Sequence, residues 1–163
     1  MLPYRDNVCM LVYDSYFRLF LGERRGQGVW QFPQGGVGKK RTPEETVLKE
    51  LEEELGADRS AFGVPRRLEA THRYDFAVPP PHWRDKWRGQ EQSFWAVPFL
   101  GEDSLIDVSR DSHPEFDSWC WCPAEEVLAR VDPIRRAGYE RPILEFMTFV
   151  RPSMPPDPQL PVT

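Results

Sequence analysis

The chain has 163 residues, of which 40% are hydrophobic and 29% are charged. This composition is typical of one globular domain and excludes a fibre or a chain that is disordered throughout. The 21 basic and 26 acidic side chains give a net charge of −5. That balance argues against a protein that grips nucleic acid along a great length or binds an anionic membrane.

The cysteines and the N-terminal residues indicate the compartment. Cys9, Cys120 and Cys122 are odd in number and lack Cys-x-x-Cys spacing, so neither a disulfide framework nor a zinc site is predicted. The first residues lack the basic and apolar regions of a signal peptide, and no apolar run approaches the ~18 residues of a membrane span. We therefore expect a cytoplasmic monomer or homodimer with no membrane partner.

The first half of the chain combines strand and helix patterns. Three strands are predicted from short apolar runs at residues 8–13, 17–21 and 30–32. Clustered glycines predict a loop at residues 33–38. A helix is predicted from Pro43 to Leu55, because Thr42 and Glu45 form a capping box and a glycine follows the last turn.

The second half continues the alternation of strands and helices. Strands are predicted at residues 68–78, 93–100 and 118–122, and helices at residues 124–131 and 141–150. A proline-led basic loop with two tryptophans separates the first two of these strands, and loops of this length are often functional. We expect one α/β domain over residues 1–151 and an extended proline-rich tail over residues 152–163.

Three carboxylates share one face of the predicted helix 43–55. Successive helical residues turn by ~100°, so Glu50, Glu53 and Glu54 project within one arc of that size. Oxygen ligands this dense suit Mg²⁺ or Mn²⁺, whereas the alternative is a solvated acidic face. The glycine-rich basic segment from Gly35 to Lys40 leads into the helix N-terminus and favours phosphate, so together the features indicate pyrophosphate chemistry.

At these positions the chain resembles the Nudix hydrolases. The family's box reads Gly, five residues, Glu, seven residues, Arg-Glu-apolar-x-Glu-Glu-x-Gly-apolar. The residues in register are Gly35, Glu50, Leu51, Glu53, Glu54, Gly56 and Ala57. The resemblance implies an α/β/α sandwich with a central mixed sheet, and it implies that the three box glutamates hold divalent metal ions.

Two residues depart from the box. Arg41 stands where the family has glutamate, and Lys49 stands where it has arginine. In the family these two positions tie the loop to the helix, so the departures affect the loop more than the metal ligands. Arg41 is instead in position to pair with Glu45 one turn along the helix. The departures also motivate an alternative, a Nudix-fold binding or regulatory protein with weak turnover.

Motifs outside the box resemble bacterial RNA 5′-pyrophosphohydrolases and asymmetric dinucleoside tetraphosphate hydrolases. They lie at residues 4–8, 30–36, 89–92 and 114–121. Within the second motif, Gln34 separates these enzymes from a housecleaning Nudix pyrophosphatase for oxidised nucleotides or ADP-ribose, in which Phe-Pro-Gly-Gly is more usual. The resemblance therefore implies metal-dependent hydrolysis of a phosphoanhydride in a 5′-triphosphorylated RNA end or another nucleotide polyphosphate.

The resemblance also implies roles for residues outside the helix. Glu115 would be a fourth metal carboxylate for more than one Mg²⁺ or Mn²⁺ ion, and either Glu53 or Glu115 would accept the proton of the attacking water. Arg5 and Arg24 match arginines that hold terminal phosphates, which guanidinium grips bidentately. With the basic loop and the flanking motifs, the expected substrate-binding residues are Arg5, Arg24, Gln34, Gly35, Gly36, Lys39, Gln90 and Gln92.

The tryptophans of the proline-led loop allow two interpretations. Trp83 is a candidate platform on which a nucleobase stacks. It is equally suited to packing the loop onto the domain.

Overall fold

A computed structural model describes residues 1–151, so the predicted proline-rich tail lies outside the described residues. Seven strands form one sheet: β1 (Tyr4–Tyr13), β2 (Leu19–Arg24), β3 (Trp30–Gln31), β4 (Gln34–Gly36), β5 (Arg66–Asp75), β6 (Gly89–Pro98) and β7 (Phe116–Cys122). The helices are α1 (Pro43–Leu55), α2 (Val127–Arg130) and α3 (Arg136–Glu145), and a π-helical segment, Phe146–Val150, continues α3.

The sheet is mixed, as predicted, and β1 lies at its centre. β1 runs parallel to β6 from Tyr4 opposite Gly89 to Tyr13 opposite Pro98, and antiparallel to β2 and β4. The strand order is β3-β2-β1-β6-β5, with β4 beside β1 and β7 beside β2. β5 is therefore the last strand on its side of this order.

Helices cover both faces of the sheet. Alternate residues of β1 point to opposite faces, so Val8, Met10 and Val12 pack with α1, whereas Cys9 and Leu11 pack on the side of α3. The buried helix residues that complete these two cores are Val47, Leu51 and Leu55 of α1, and Tyr139 and Ile143 of α3. The predicted α/β/α sandwich is confirmed.

The limits of α1 agree with the prediction because they depend on local contacts. The Thr42 hydroxyl accepts a hydrogen bond from the Glu45 amide at 3.1 Å, and the Glu45 carboxylate accepts one from the Thr42 amide at 3.1 Å. Gly56 ends the helix with φ of 66°, a conformation that glycine adopts without strain.

Three predicted elements differ from the structure. The predicted loop 33–38 contains β4, which pairs with residues 7–9 of β1. Gln90 and Gln92, predicted to precede a strand, lie inside β6. The last helix begins at Arg136 rather than at residue 141, because Pro142 lies inside the helix instead of at its first turn.

Candidate active site

The acidic face of α1 consists of Glu50, Glu53 and Glu54. Their exposure differs: the Glu53 side chain is 40% exposed, that of Glu50 is 18% exposed, and Glu54 is buried. The Glu54 carboxylate accepts a hydrogen bond from the backbone amide of Gln34 at 3.1 Å. This bond connects α1 to β4, so the helix and the glycine-containing strand form one side of the site.

Two glycines of β4 allow side chains to lie directly against the strand. A Cβ on Gly35 would come within 2.3 Å of the Glu50 carboxyl carbon, and a Cβ on Gly36 would come within 1.9 Å of Arg5 Nη2. Any larger residue would displace these two charged groups. Gly35 and Gly36 therefore determine where Glu50 and Arg5 lie.

Glu115 lies near enough to the acidic face to affect its electrostatics. Burial, and then repulsion from Glu53 and Glu115, raise the pKa of Glu50 to about 7. Burial, and then repulsion from Glu50 and Glu115, raise the pKa of Glu54 well above its ordinary value. Glu115 is positioned by the backbone, because its carbonyl accepts a hydrogen bond from the Arg25 amide at 2.9 Å.

Lys49 supplies a cation to this group of carboxylates. Its Nζ lies 2.8 Å from Glu53 Oε1 and 4.0 Å from Glu50 Oε1. The lysine that departs from the Nudix box thus spans two of the expected metal ligands.

Within residues 1–151 no three acidic, histidine or cysteine side chains are arranged as a preformed metal-binding group. The four glutamates nevertheless suit a divalent cation. They are oxygen donors, and the raised pKa of Glu50 and of Glu54 reflects negative charge that a cation would compensate. Binding would require the carboxylates to turn toward one another and Lys49 to release Glu53.

Arg5 projects from β1 to the edge of the acidic face and is half-buried. Burial lowers the pKa of its guanidinium, and the nearby Glu50 opposes that shift. The guanidinium carbon also lies 4.3 Å from the centroid of the Trp83 ring. Arg5 therefore lies beside the carboxylates of α1.

Trp83 contacts protein groups in the way that a packing residue does. Its ring stacks on Phe76 with centroids 5.7 Å apart and an interplanar angle of 25°. Because Arg5 also lies over the ring, a nucleobase would have to replace one of these partners. Of the two interpretations of Trp83, packing is the one that its contacts favour.

An amide cluster formed by Asn7, Gln34, Gln92 and Arg135 lies on the other side of β4. The buried Gln92 amide nitrogen donates to Asn7 Oδ1 at 3.1 Å and to Gln34 Oε1 at 3.0 Å. Arg135 donates to the same Gln34 oxygen at 3.4 Å. Gln92, expected to bind substrate, thus holds Gln34 in place.

Gln90 makes a similar internal contact, because its amide nitrogen donates to the Tyr74 hydroxyl at 3.1 Å. Neither Asn7 nor Arg135 was predicted to have a role. No pattern in the sequence around Arg135 indicated its contact, because its partner Gln34 lies 101 positions away in the chain. Asn7 was part of the first flanking motif.

The remaining basic candidates are Arg24 and Lys39. Arg24 ends β2 opposite Phe116, the residue after Glu115, and it is half-buried. Lys39 lies exposed in the turn between β4 and α1. Within residues 1–151 neither side chain takes part in an ion pair, so both cations remain available to a ligand.

Arg41 does not replace the missing box glutamate in the way that the sequence suggested. The Glu45 carboxylate bonds the Thr42 backbone amide, and no ion pair between Arg41 and Glu45 occurs in the described part of the chain. The expected pairing is wrong because the capping box takes the carboxylate. Arg41 instead lies exposed before α1.

In the part of the chain that the structure describes, every helix is too short or too polar to cross a bilayer.

Solved structures share this fold. The dihydroneopterin triphosphate pyrophosphohydrolase of E. coli superposes with a TM-score of 0.64 at 17% identity, over 87% of this chain and 98% of that chain. An Ap4A hydrolase of C. elegans in a binary complex superposes with a TM-score of 0.65 at 13% identity, over 91% of this chain and 98% of that chain. Identities this low relate the folds alone.

Sequence comparison gives the family. The model of the NUDIX domain matches residues 3–142. A protein of Roseobacter denitrificans named RNA pyrophosphohydrolase is 37% identical over 142 residues, which are 85% of this chain and 88% of that protein. A protein of Gluconacetobacter diazotrophicus with the same name is 34% identical over 161 residues, 93% of this chain and 96% of that protein. With the box glutamates gathered on α1 against β4, these matches establish that the chain belongs to the Nudix family.

Proposed function

We propose that this Nudix enzyme removes pyrophosphate from the 5′-triphosphorylated end of RNA. The observation that carries the proposal is similarity along nearly the whole chain, since relatives at 34–37% identity bear the name RNA pyrophosphohydrolase. The site supports it as well, because carboxylates for cations and arginines for phosphate lie side by side. Two solved MutT structures are 18% and 19% identical to the chain, so their likeness concerns the fold alone.

Divalent metal ions, Mg²⁺ or Mn²⁺, belong to the proposal. Glu50, Glu53, Glu54 and Glu115 would hold more than one ion, and the repulsion that raises the pKa of Glu50 supports this assignment. When bound, the ions polarise the phosphate oxygens and make a water more acidic. The helix supplies three of the four carboxylates, so the spacing of the ligands follows from helical geometry.

The chain's own cations would orient the polyphosphate. Arg5 projects beside Glu50 and presents a planar donor group that matches phosphate oxygens, while Arg24 lies next to Glu115. Lys39, exposed in the turn before α1, would add a third cation. The amide cluster would fix Gln34 next to these groups, with Gln92 and Arg135 holding its side-chain oxygen.

A carboxylate must accept the proton of the attacking water, and Glu53 and Glu115 are the two candidates. Glu53 is ion-paired to Lys49, so it would act only after the lysine moves. Glu115 takes part in no ion pair within the described residues and is exposed. Separate Glu53→Gln and Glu115→Gln variants distinguish them, because loss of the base also removes the acid limb of the pH–rate profile.

The setting of the enzyme is also proposed. The three cysteines are free thiols, which suits the reducing cytoplasm. We propose a monomer or a homodimer, and gel filtration with light scattering tests this directly.

One comparison tests the proposed activity. Purified protein with Mg²⁺ or Mn²⁺ is given triphosphorylated RNA, diadenosine tetraphosphate and ADP-ribose under one condition. We expect pyrophosphate release from the RNA at the highest kcat/KM. A higher kcat/KM on diadenosine tetraphosphate would reassign the enzyme to dinucleoside polyphosphates, and a preference for ADP-ribose would make it a housecleaning enzyme.

The binding-protein alternative predicts a different result. It requires RNA binding that survives Glu53→Gln and no turnover in the parent chain. Measurable turnover that Glu53→Gln abolishes would exclude it.

A further inference from the structure

Arg5 is held by two separate parts of the chain. Its Nη2 lies against Gly36 of β4, where even a Cβ would come within 1.9 Å. Its guanidinium carbon lies 4.3 Å from the Trp83 ring centroid, and Trp83 belongs to the loop of residues 76–88. Since an arginine side chain has many rotamers, two such contacts restrict its guanidinium to one place.

The Trp83 ring is itself fixed. It stacks on Phe76 and meets His82 edge to face at a centroid distance of 4.8 Å. Its backbone lies in a turn in which the Trp83 amide donates to Pro80 and the Trp87 amide donates to Trp83, at 2.9 and 3.0 Å. The ring can therefore act as a firm support.

Glu50 makes that support necessary. The Glu50 carboxyl lies against Gly35 and the Arg5 guanidinium lies against the adjacent Gly36, so the carboxylate is near enough to attract the guanidinium. An arginine drawn fully onto Glu50 would have its donors occupied when a phosphate arrives. The face of the indole attracts the guanidinium in another direction and leaves the donors in its plane free.

We propose that Trp83 is a positioning residue that holds Arg5 ready to receive the terminal phosphates of the substrate. The proposal rests on the proposed function in one respect, the binding of phosphate by Arg5. It assigns the proline-led loop a role in phosphate binding in place of base stacking.

A double-mutant cycle tests the proposal. Inorganic pyrophosphate with Mg²⁺ is titrated by calorimetry into the parent chain, Arg5→Ala, Trp83→Leu and the double variant. Loss of a partly buried cation–π contact should weaken pyrophosphate binding about fivefold in Trp83→Leu. In the Arg5→Ala chain the same change should have no further effect, because Trp83 acts only through Arg5.

Two further variants make the result specific. Trp83→Phe keeps an aromatic face and should bind pyrophosphate within about twofold of the parent. Arg84→Ala removes an exposed charge from the same loop, without a contact to Arg5, and should bind as the parent does. If Trp83→Leu does not fold, as judged by thermal unfolding, Trp83→Gln takes its place in the cycle.

Steady-state kinetics add a second readout. Because Arg5 would bind phosphate in the ground state and the transition state alike, Trp83→Leu should raise KM for triphosphorylated RNA about fivefold and change kcat less than about twofold. A merely structural loss would lower the fraction of active protein and hence kcat. A fall in kcat at constant KM would overturn the proposal.

The cycle also has outcomes that overturn it. These are unchanged pyrophosphate affinity in Trp83→Leu, an added loss in the double variant, or no pyrophosphate binding by the parent chain. Failure of the proposed function has a different signature, a parent chain that binds pyrophosphate but hydrolyses no triphosphorylated RNA. The cycle is interpreted in the same way in that case, since calorimetry with pyrophosphate needs no turnover.

Discussion

The acidic face of α1 and the amide cluster meet at Gln34 and differ in how their polar groups are satisfied. The backbone of Gln34 bonds Glu54 of the acidic face, and its side chain bonds Gln92 and Arg135 of the amide cluster. In the cluster donors meet acceptors. On the acidic face like charges meet, with Lys49 as a partial counter-ion. Within residues 1–151 the cluster pairs its amide groups internally, although Arg135 Nε is buried without a hydrogen-bond partner, whereas the acidic face gains from an added cation.

The largest expected effect comes from the acidic face. Glu53→Gln keeps the size of the side chain but removes a metal ligand and a candidate base, so kcat should fall at least about 100-fold. Hydrolysis of triphosphorylated RNA measures it.

Glu52→Gln is the matched control for Glu53→Gln. Glu52 lies on the same helix but is ion-paired to Arg59 at 3.0 Å, away from the other carboxylates. It should leave kcat within about twofold, as surface substitutions usually do. Equal losses in the two variants would mean that α1 as a whole, and not its acidic face, matters to catalysis.

The next effect is a pH dependence of the metal-free protein. The pKa of Glu50 is about 7 in the folded chain against 4.5 as its ordinary value. Between about pH 4.5 and about pH 7 the Glu50 carboxyl is therefore protonated in the folded chain and ionised in the unfolded chain. The free energy of unfolding consequently falls as the pH rises through this range. The change should approach about 3 kcal/mol, since one pKa unit is worth 1.36 kcal/mol.

Urea unfolding in the presence of a chelator measures this change. Glu50→Gln should be little affected at pH 4.5 and more stable than the parent at pH 7, because it cannot ionise. If the free energy of unfolding changed with pH in the same way for both chains, the pKa of Glu50 would not be raised in the folded protein.

A substitution in the amide cluster should lower the free energy of unfolding, whereas Glu50→Gln should raise it at pH 7. Gln92→Leu leaves Asn7 and Gln34 without their buried donor, so the free energy of unfolding should fall by about 2 kcal/mol. Gln31→Leu is the control, because Gln31 is also buried but its Oε1 has no hydrogen-bond partner in residues 1–151. If Gln31→Leu costs as much, buried volume rather than hydrogen bonding stabilises these positions.

The smallest effect concerns Lys49. Lys49→Gln removes the cation that a metal must displace from Glu53, so Mn²⁺ should bind about two- to fivefold more tightly, the range of a partly exposed ion pair. Electron paramagnetic resonance of free Mn²⁺ measures this. Weaker binding in Lys49→Gln would mean that the lysine orients the carboxylates instead of competing for them.

A paired reversion tests both departures from the box. Arg41→Glu with Lys49→Arg restores the family residues at the two positions. We expect a faster enzyme, and an unchanged rate would mean that other contacts tie the loop to α1.

Elements that depend on local contacts could be predicted from the sequence, whereas elements that depend on long-range contacts could not. α1 was predicted to the residue because a capping box and a terminal glycine act within one turn. β4 was missed because Gln34–Gly36 is a strand only through its pairing with β1. The start of α3 was predicted too late in the chain: the helix begins at Arg136, Pro142 lies inside it, and Gly138, one turn before the proline, packs closely against His72.

The residues of the candidate site could likewise be predicted only in part. Helical spacing alone brought the glutamates of the acidic face together, and a resemblance beyond the helix added Glu115 and Arg5. The contacts that hold Gln34 and Arg5 in place were not predictable. Arg135 and Gln92 lie 101 and 58 positions from Gln34 in the chain, and Trp83 lies 78 positions from Arg5.

Glu145 near the end of α3 has a consequence for association between molecules. Its carboxylate accepts hydrogen bonds from the backbone amides of Glu69 and Ala70, at 2.7 and 3.0 Å, in the outermost strand β5. Unpaired amides on an outer strand would otherwise recruit an extended segment of another chain. By occupying two of them, Glu145 protects this part of β5 from pairing with another chain.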